Sequence, residues 1–118
     1  MRNFREYDVW RRAHQITLRI YSITREFPSE ERFGLTSQMR RASSSIGLNI
    51  AEGAGKVTDS EFALGITHAM GSLCELEYAL LLSRDLSYVR EHEHAEIDAE
   101  VQTLKRMLYR LHRTLKGR

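Results

Sequence analysis

The chain has 118 residues, 42% apolar and 29% charged, with a formal net charge of +2 and a pI near 8.9. That length suits one domain, residues 1–118, able to bury roughly two thirds of its unfolded surface without a disulfide or metal to hold it. No apolar run approaches a membrane span, and the mild positive charge permits a nucleic-acid partner without demanding one.

A single proline and the absence of sustained strand-like alternation predict an all-α chain. Helix one is expected over 8–27, with Asp8 as its N-cap and Val9, Ala13, Ile16, Ile20, Ile23 and Phe27 as its apolar stripe. Trp10, Thr17, Tyr21 and Thr24 widen that stripe, while Arg11, Arg12, Arg19 and Arg25 face away. Pro28 ends the helix, because the residue before a proline avoids helical angles. The opening segment MRNFREYDVWRR has no apolar signal-peptide stretch, so a cytoplasmic protein is expected.

Helix two is expected over 34–54 and has two unlike faces. Leu35, Met39, Ala42, Ile46, Ile50 and Gly53 form an apolar stripe, and Gln38, Arg41, Ser45, Asn49 and Glu52 a polar one beside it. Where a surface helix would carry long charged residues, this one carries Ser43, Ser44, Ser45, Gly47 and Ala51. A glycine such as Gly47 inside a helix costs roughly 1 kcal/mol against alanine. Close approach of another helix is the expected offset. Arg41, Asn49 and Glu52 are expected to form a structural polar cluster that fixes helix or subunit register.

Helix three, over 58–84, begins with a capping box made by Thr58 and Glu61. Phe62, Ile66, Ala69, Leu73, Leu76 and Leu80 are its core stripe. Ala63, Met70, Cys74 and Leu81 form a second apolar strip about a quarter turn round. Leu64, Tyr78 and Leu82 occupy much of the far side, and Gly65, Ser72 and Ala79 repeat as a small-residue track. A helix apolar nearly all round is a buried helix. Helix three is therefore expected to face a second chain through Ala63, Met70, Cys74 and Leu81. Cys74 itself is expected as a small buried hydrophobe in a reducing compartment.

After a turn near Asp85 to Tyr88, helix four runs over 91–116 with the stripe Ile97, Val101, Leu104, Leu108, Leu111 and Leu115. Its acidic residues come first (Glu91, Glu93, Glu96, Asp98, Glu100) and its basic ones last, an order that complements the helix macrodipole. Four amphipathic helices with short connections give an antiparallel up-down-up-down four-helix bundle.

Chemistry-bearing motifs are sparse. Glu91 and His94 make one Glu-x-x-His, whereas a di-iron bundle needs two, and His92 and His94 point to different faces, so no metal is expected. Gly53-Ala54-Gly55-Lys56 follows a helix rather than a strand and lacks the following Ser or Thr, so it is no phosphate loop. Ser43 to Ser45 lack a catalytic context and read as packing residues. No enzyme, cofactor or small-molecule substrate is expected. Arg40, Arg41, Lys56, Lys105, Arg106, Arg110, Arg113, Lys116 and Arg118 are candidates for a basic surface. Tyr109 alone interleaves with them, so a single-strand stacking platform is not indicated.

Several strings resemble a known bacterial family. They are Val9-Trp10 with Ala13, Phe27-Pro28, Glu31-Arg32-Phe33-Gly34-Leu35-Thr36-Ser37-Gln38-Met39-Arg40-Arg41-Ala42, Ser45-Ile46, Asn49-Ile50-Ala51-Glu52-Gly53, and Gly71-Ser72-Leu73-Cys74-Glu75-Leu76-Glu77. They look like the four helix bundle protein family, also called the intervening-sequence protein family of large-subunit ribosomal RNA. The chain departs from the family's pattern at Gly47 and Arg90. The resemblance implies an antiparallel bundle assembled as a homopentamer without established enzymatic activity. It also implies a fold similar to the accessory variability protein of diversity-generating retroelements, a basic pentamer that binds nucleic acid and a reverse transcriptase. The expected function is thus a ring-like homo-oligomer that binds RNA or another nucleic acid, or a protein that handles it. Arg106, Arg110, Arg113 and Lys116 are its foremost carriers, then Arg40 and Lys56; a structural scaffold for an unrelated protein is the alternative.

Overall fold

The four apolar stripes become four helices in a computed structural model that describes residues 2–117. They are α1 (Asp8–Thr24), α2 (Leu35–Ala54), α3 (Asp59–Asp85) and α4 (Glu91–Leu115), and among the described residues there is no strand. Short 3-10 turns at Phe4–Glu6 and Ser29–Glu31 precede α1 and α2.

Cross-helix contacts fix the directions. Trp10 lies against Gly47, Thr17 Oγ1 donates to the Ser43 carbonyl at 3.0 Å and Arg40 Nε to Thr24 Oγ1 at 2.9 Å, so α1 and α2 are antiparallel. Ser72 Oγ donates to Ser45 Oγ at 2.9 Å and Ser83 Oγ meets Met39 Sδ at 3.3 Å, which sets α3 antiparallel to α2. Arg19 pairs with Glu96 across α1 and α4 at 2.8 Å. All six stripe residues of α3 have no exposed surface, nor do Met39, Ile46 and Ile50 of α2.

The tightest packing is between α2 and α3. A Cβ added at Gly65 would lie 3.0 Å from both the Asn49 carbonyl oxygen and the Gly53 Cα. One added at Gly53 would meet the Phe62 ring at 3.0 Å. The small-residue track of α3 (Gly65, Ser72, Ala79) is buried against α2. Close backbone approach is a use to which glycine is suited because it has no Cβ.

Gly47 has a different neighbour from the one expected. The Trp10 indole of α1, not a helix backbone, covers it, at 3.5 Å from where its Cβ would be. Ser43 is fully buried, and Ser43 and Ser44 hydrogen-bond to the Arg40 carbonyl at 3.1 and 2.8 Å, as serines inside helices do.

Two helix ends also differ. α1 stops at Thr24 rather than Phe27. The amides of Arg25, Glu26 and Phe27 each bond three residues back, so the chain tightens ahead of Pro28 and turns Phe27 into the core, 5.3 Å from the Tyr88 ring. Asp8 does not cap α1. Asn3 caps the 3-10 turn before it, accepting from Arg5 N at 3.1 Å, and Asp8 pairs with Arg11.

The expected capping box of α3 is present: Glu61 N donates to Thr58 Oγ1 at 3.1 Å and Thr58 N to Glu61 Oε1 at 3.2 Å. At the start of α4, Arg90 N donates to Glu93 Oε1 at 3.2 Å. Glu31 holds the end of the molecule where the α1–α2 and α3–α4 connections lie. Its Oε1 accepts from Leu35 N at 3.1 Å, capping α2, and its Oε2 accepts from the Tyr88 hydroxyl at 3.0 Å. That hydrogen bond raises the Tyr88 phenol above its ordinary range.

The two interior glycines are expected to respond oppositely to alanine. Gly65→Ala forces a methyl into the α2 backbone and should cost about 1–3 kcal/mol. Gly47→Ala meets only ordinary contact distance and should gain about 0.5–1 kcal/mol in helix propensity. Urea unfolding midpoints test this; a neutral Gly65→Ala would contradict the packing described.

Candidate nucleic-acid interface

The antiparallel order brings the start of α1, the α2–α3 connection and the end of α4 to one end. Tyr7, Asp8 and Val9 share a groove with Met107, Arg110 and Leu111. Arg2 reaches across to the Lys56 carbonyl at 2.8 Å and pairs with Asp59. The Tyr7 ring meets Phe62 edge-on at 5.4 Å.

Of the cations expected to act together, Arg110, Arg113, Lys116 and Lys56 share this end and are exposed. Arg113 lies over the exposed Tyr109 ring at 6.0 Å. Arg106 is exposed one turn further in, where it contacts Thr103 at 3.4 Å. Arg118 lies outside the described residues.

Arg40 does not join them. It sits towards the other end, bonded to Thr24 Oγ1 and lying 4.7 Å from the Tyr21 ring centre, as a strut between α1 and α2. Lys105 is not a free cation either. Its Nζ donates to Glu77 Oε1 at 2.6 Å while Gln102 Nε2 donates to Glu77 Oε2 at 2.6 Å, tying α4 to α3.

The N-terminus contributes to this end in a way the sequence pattern did not reveal. Arg2, Arg5, Arg11 and Arg12 lie on or beside it; Arg5 covers the Phe4 ring at 4.6 Å, and Arg11 and Arg12 line a groove with Glu100. Their density in the first twelve residues was the available signal. Up-down topology places that segment beside the end of α4.

Three further expectations change. Arg41, Asn49 and Glu52 do not meet within the chain: Asn49 Nδ2 donates to the Ser45 carbonyl and hydroxyl at 2.8 and 3.0 Å, and Arg41 and Glu52 point outward, exposed. Cys74 is exposed rather than buried. Of the expected interface residues, Ala63 is 2% exposed and belongs to the chain's own interior, and Met70 packs partly against the core. Cys74 and Leu81 remain outside with Leu64 and Tyr78, because the core stripe of α3 takes up the arc that includes Leu73 and Leu80.

Glu91 and His92 are exposed and His94 half-buried at the start of α4. Among the described residues, no three His, Cys, Asp or Glu side chains converge as metal ligands would, and no helix is long and apolar enough to cross a membrane.

The geometry defines an all-helical, four-helix protein in which Lys56, Arg110, Arg113 and Lys116 are exposed at one end, while Arg25, Arg32 and Arg90 are exposed at the other. The profile described as 23S rRNA-intervening sequence protein matches residues 5–110. The chain belongs to that family. A crystal structure of a protein of unknown function from the S23 ribosomal protein family of Bacteroides thetaiotaomicron is similar, with a TM-score of 0.76. The match covers 85% of this chain and 94% of that one at 22% identity, a likeness of fold. No curated protein matches the chain.

The Glu77–Lys105 bridge gives a pH test. The Lys105 hydrogen bond, then that of Gln102, holds the Glu77 carboxyl below its ordinary value, and Glu77 holds Lys105 above its own. The stabilisation from Glu77 is present above its unfolded pKa and lost as pH falls through the lower folded one; that from Lys105 is lost only as pH rises through its raised value. Both side chains are about one third exposed (34% and 35%), so screening limits the pair to about 1 kcal/mol at most. Glu77→Gln should therefore lower the melting temperature at pH 7, and the gap should be smaller at an acidic pH below the ordinary carboxylate range. A gap equal at both pH values would contradict this.

Proposed function

We propose that the protein is a non-enzymatic, cytoplasmic binding module that contacts RNA or another nucleic acid through its basic end. We further propose that it self-associates into a ring-like homo-oligomer, a pentamer by the family likeness. The observation that carries the binding reading is the gathering of Arg110, Arg113, Lys116 and Lys56 with the N-terminal arginines at one end. One chain offers a modest field, because Asp8 and Asp59 neutralise two of these arginines. Repetition around a ring multiplies it into a multivalent surface. Contacts of this kind go to phosphates and carry little sequence preference. The family description, 23S rRNA-intervening sequence protein, supports a ribosomal RNA context.

Fluorescence anisotropy with duplex DNA and structured RNA at several salt concentrations tests the reading. Binding should weaken steeply with salt through counterion release. Replacing Arg110 and Arg113 together by alanine should make the log–log salt dependence on duplex DNA shallower by about 2 for each chain of the assembly in contact with the duplex, roughly one for each arginine that no longer neutralises a phosphate. Arg40→Ala should lower stability and leave that slope unchanged. No binding at low salt, or binding indifferent to salt, would overturn the proposal. The exposed Leu64 and Tyr78 of α3 favour a second reading, a scaffold for a protein partner, which an assembled protein without affinity for nucleic acid would select.

A further inference from the structure

The outward side of α2 and α3 carries charge and apolar surface that the chain itself does not use. Arg41, Glu52, His68 and Glu75 are exposed and enter no ion pair among the described residues. Between Arg41 and Glu52, Leu48 projects from α2 with 67% of its surface exposed. On α3, Leu64, Gly71 and Tyr78 follow one another at seven-residue spacing, with Cys74 and Leu81 at the intermediate positions. That is the spacing of a coiled-coil seam. Here it lies open: Leu64 is 57%, Tyr78 63% and Leu81 39% exposed. Gly71 is a gap in the seam, with nothing within 4 Å of an added Cβ.

The α2–α3 packing also fixes heights along the bundle. Ser45 is level with Ser72, and Gly53 with Gly65. Arg41 lies one turn before Ser45 and Glu75 about one turn after Ser72, so these two opposite charges share a height. Leu48, one turn beyond Ser45 on α2, is within a turn of Gly71, and Glu52 within a turn of His68. Rotation about an axis parallel to the helices keeps every height unchanged. A copy related to its neighbour by such a rotation therefore presents Arg41 at the level of the neighbour's Glu75 without any slide.

We propose that copies of this chain join head to tail, with Arg41 of one pairing with Glu75 of the next and Leu48 seated on the next copy's α3 seam beside Gly71. The inference rests on the self-association proposed above and assigns its surfaces. The second copy is the occupant because the chain carries both halves of the complement: a projecting leucine two turns along α2 from a cation on the same side, and a gap one turn from an anion on α3. Two different patches make a heterologous contact, which closes into a ring if the rotation closes. The patches stand on adjacent helices rather than on opposite sides of the bundle, so successive copies turn in one sense. The groove of about 360 Å³ between α2 and α3, lined by Gln38, Arg41, Ser45, Glu75 and Tyr78, then faces the ring axis.

Light scattering at micromolar concentration tests this with Arg41→Glu, Glu75→Arg and an equimolar mixture of the two. Each variant alone should have the mass of a monomer while retaining its helical circular dichroism, because like charges then face each other at every contact. The mixture should reassemble. Where the two variants alternate, the two reversed side chains face each other at one contact and the two unaltered ones at the next, so every contact of an alternating run joins opposite charges; a closed ring of five keeps one like-charged contact, so recovery is read as any mass above that of a monomer. An in-chain Arg41–Glu75 pair predicts no recovery on mixing, and that result would overturn the proposal. Single variants that stay assembled would overturn the assigned surfaces and leave self-association standing. A monomeric wild type would overturn both. Should either charge reversal unfold the chain, Leu48→Glu carries the test: it should be folded and monomeric, and an assembled Leu48→Glu protein refutes the contact.

Discussion

The structure depends on one close contact, the passage of α2 over α3 at Gly53 and Gly65. There the backbones approach until an added Cβ at Gly65 would lie 3.0 Å from the α2 backbone. Two helices that near cannot slide or rotate independently, since interiors pack at crystal-like density. Their register brings Ser45 to Ser72 and Met39 to Ser83, and it buries the α3 core stripe beneath both. α1 then lies along α2 through Trp10, Thr17 and Thr24, and α4 along α3 through Glu77 and Lys105. Each of those flanking contacts is an aromatic ring, a hydroxyl or an ion pair about one third exposed, weaker in constraint than backbone against backbone.

The same contact organises what the molecule presents outward. By burying the small-residue track of α3, it turns Leu64, Gly71 and Tyr78 to the outside. By setting α2 antiparallel to α3, it places the α2–α3 connection with Lys56 at the end where the chain starts and α4 finishes. The opposite end is closed by Glu31, whose two carboxylate oxygens cap α2 and hold Tyr88. One end is thus knit by Phe27, Tyr88 and a capping carboxylate and carries exposed Arg25, Arg32 and Arg90, and the other carries exposed Lys56, Arg110, Arg113 and Lys116. The polar stripe of α2 between them supplies neither a core nor a convergent reactive group, which fits a surface made for contact.

Periodicity made most of the fold legible. The core stripes of α2 and α3 are buried as read, and the Thr58–Glu61 box stands where its spacing placed it. What a stripe gives is a residue's angle on its own helix, and the misreadings came from what lies beyond that. Gly47 announced a close neighbour but not that the neighbour is the Trp10 ring. Cys74 and Ala63 both looked apolar and lateral, yet only packing against real neighbours decides that Ala63 is buried and Cys74 is not. Arg40 and Arg41 are adjacent in sequence, and one helix step sends the first to Thr24 and the second to the exterior. The basic end was half legible: the α4 cations stood out as a run, while Arg2, Arg5, Arg11 and Arg12 joined them only once the chain direction placed both termini together.

If the α2–α3 contact is the frame on which the rest is hung, it should be the last part of the molecule to open. Native-state hydrogen exchange measures this directly, because amides exchange through the cheapest opening available to each segment. The slowest amides should lie in α2 from Met39 to Gly53 and in α3 from Ala63 to Ala79, exchanging only with global unfolding, while α1 and α4 exchange through smaller openings. Slowest exchange in α1 and α4, with α2 or α3 opening first, would contradict the account.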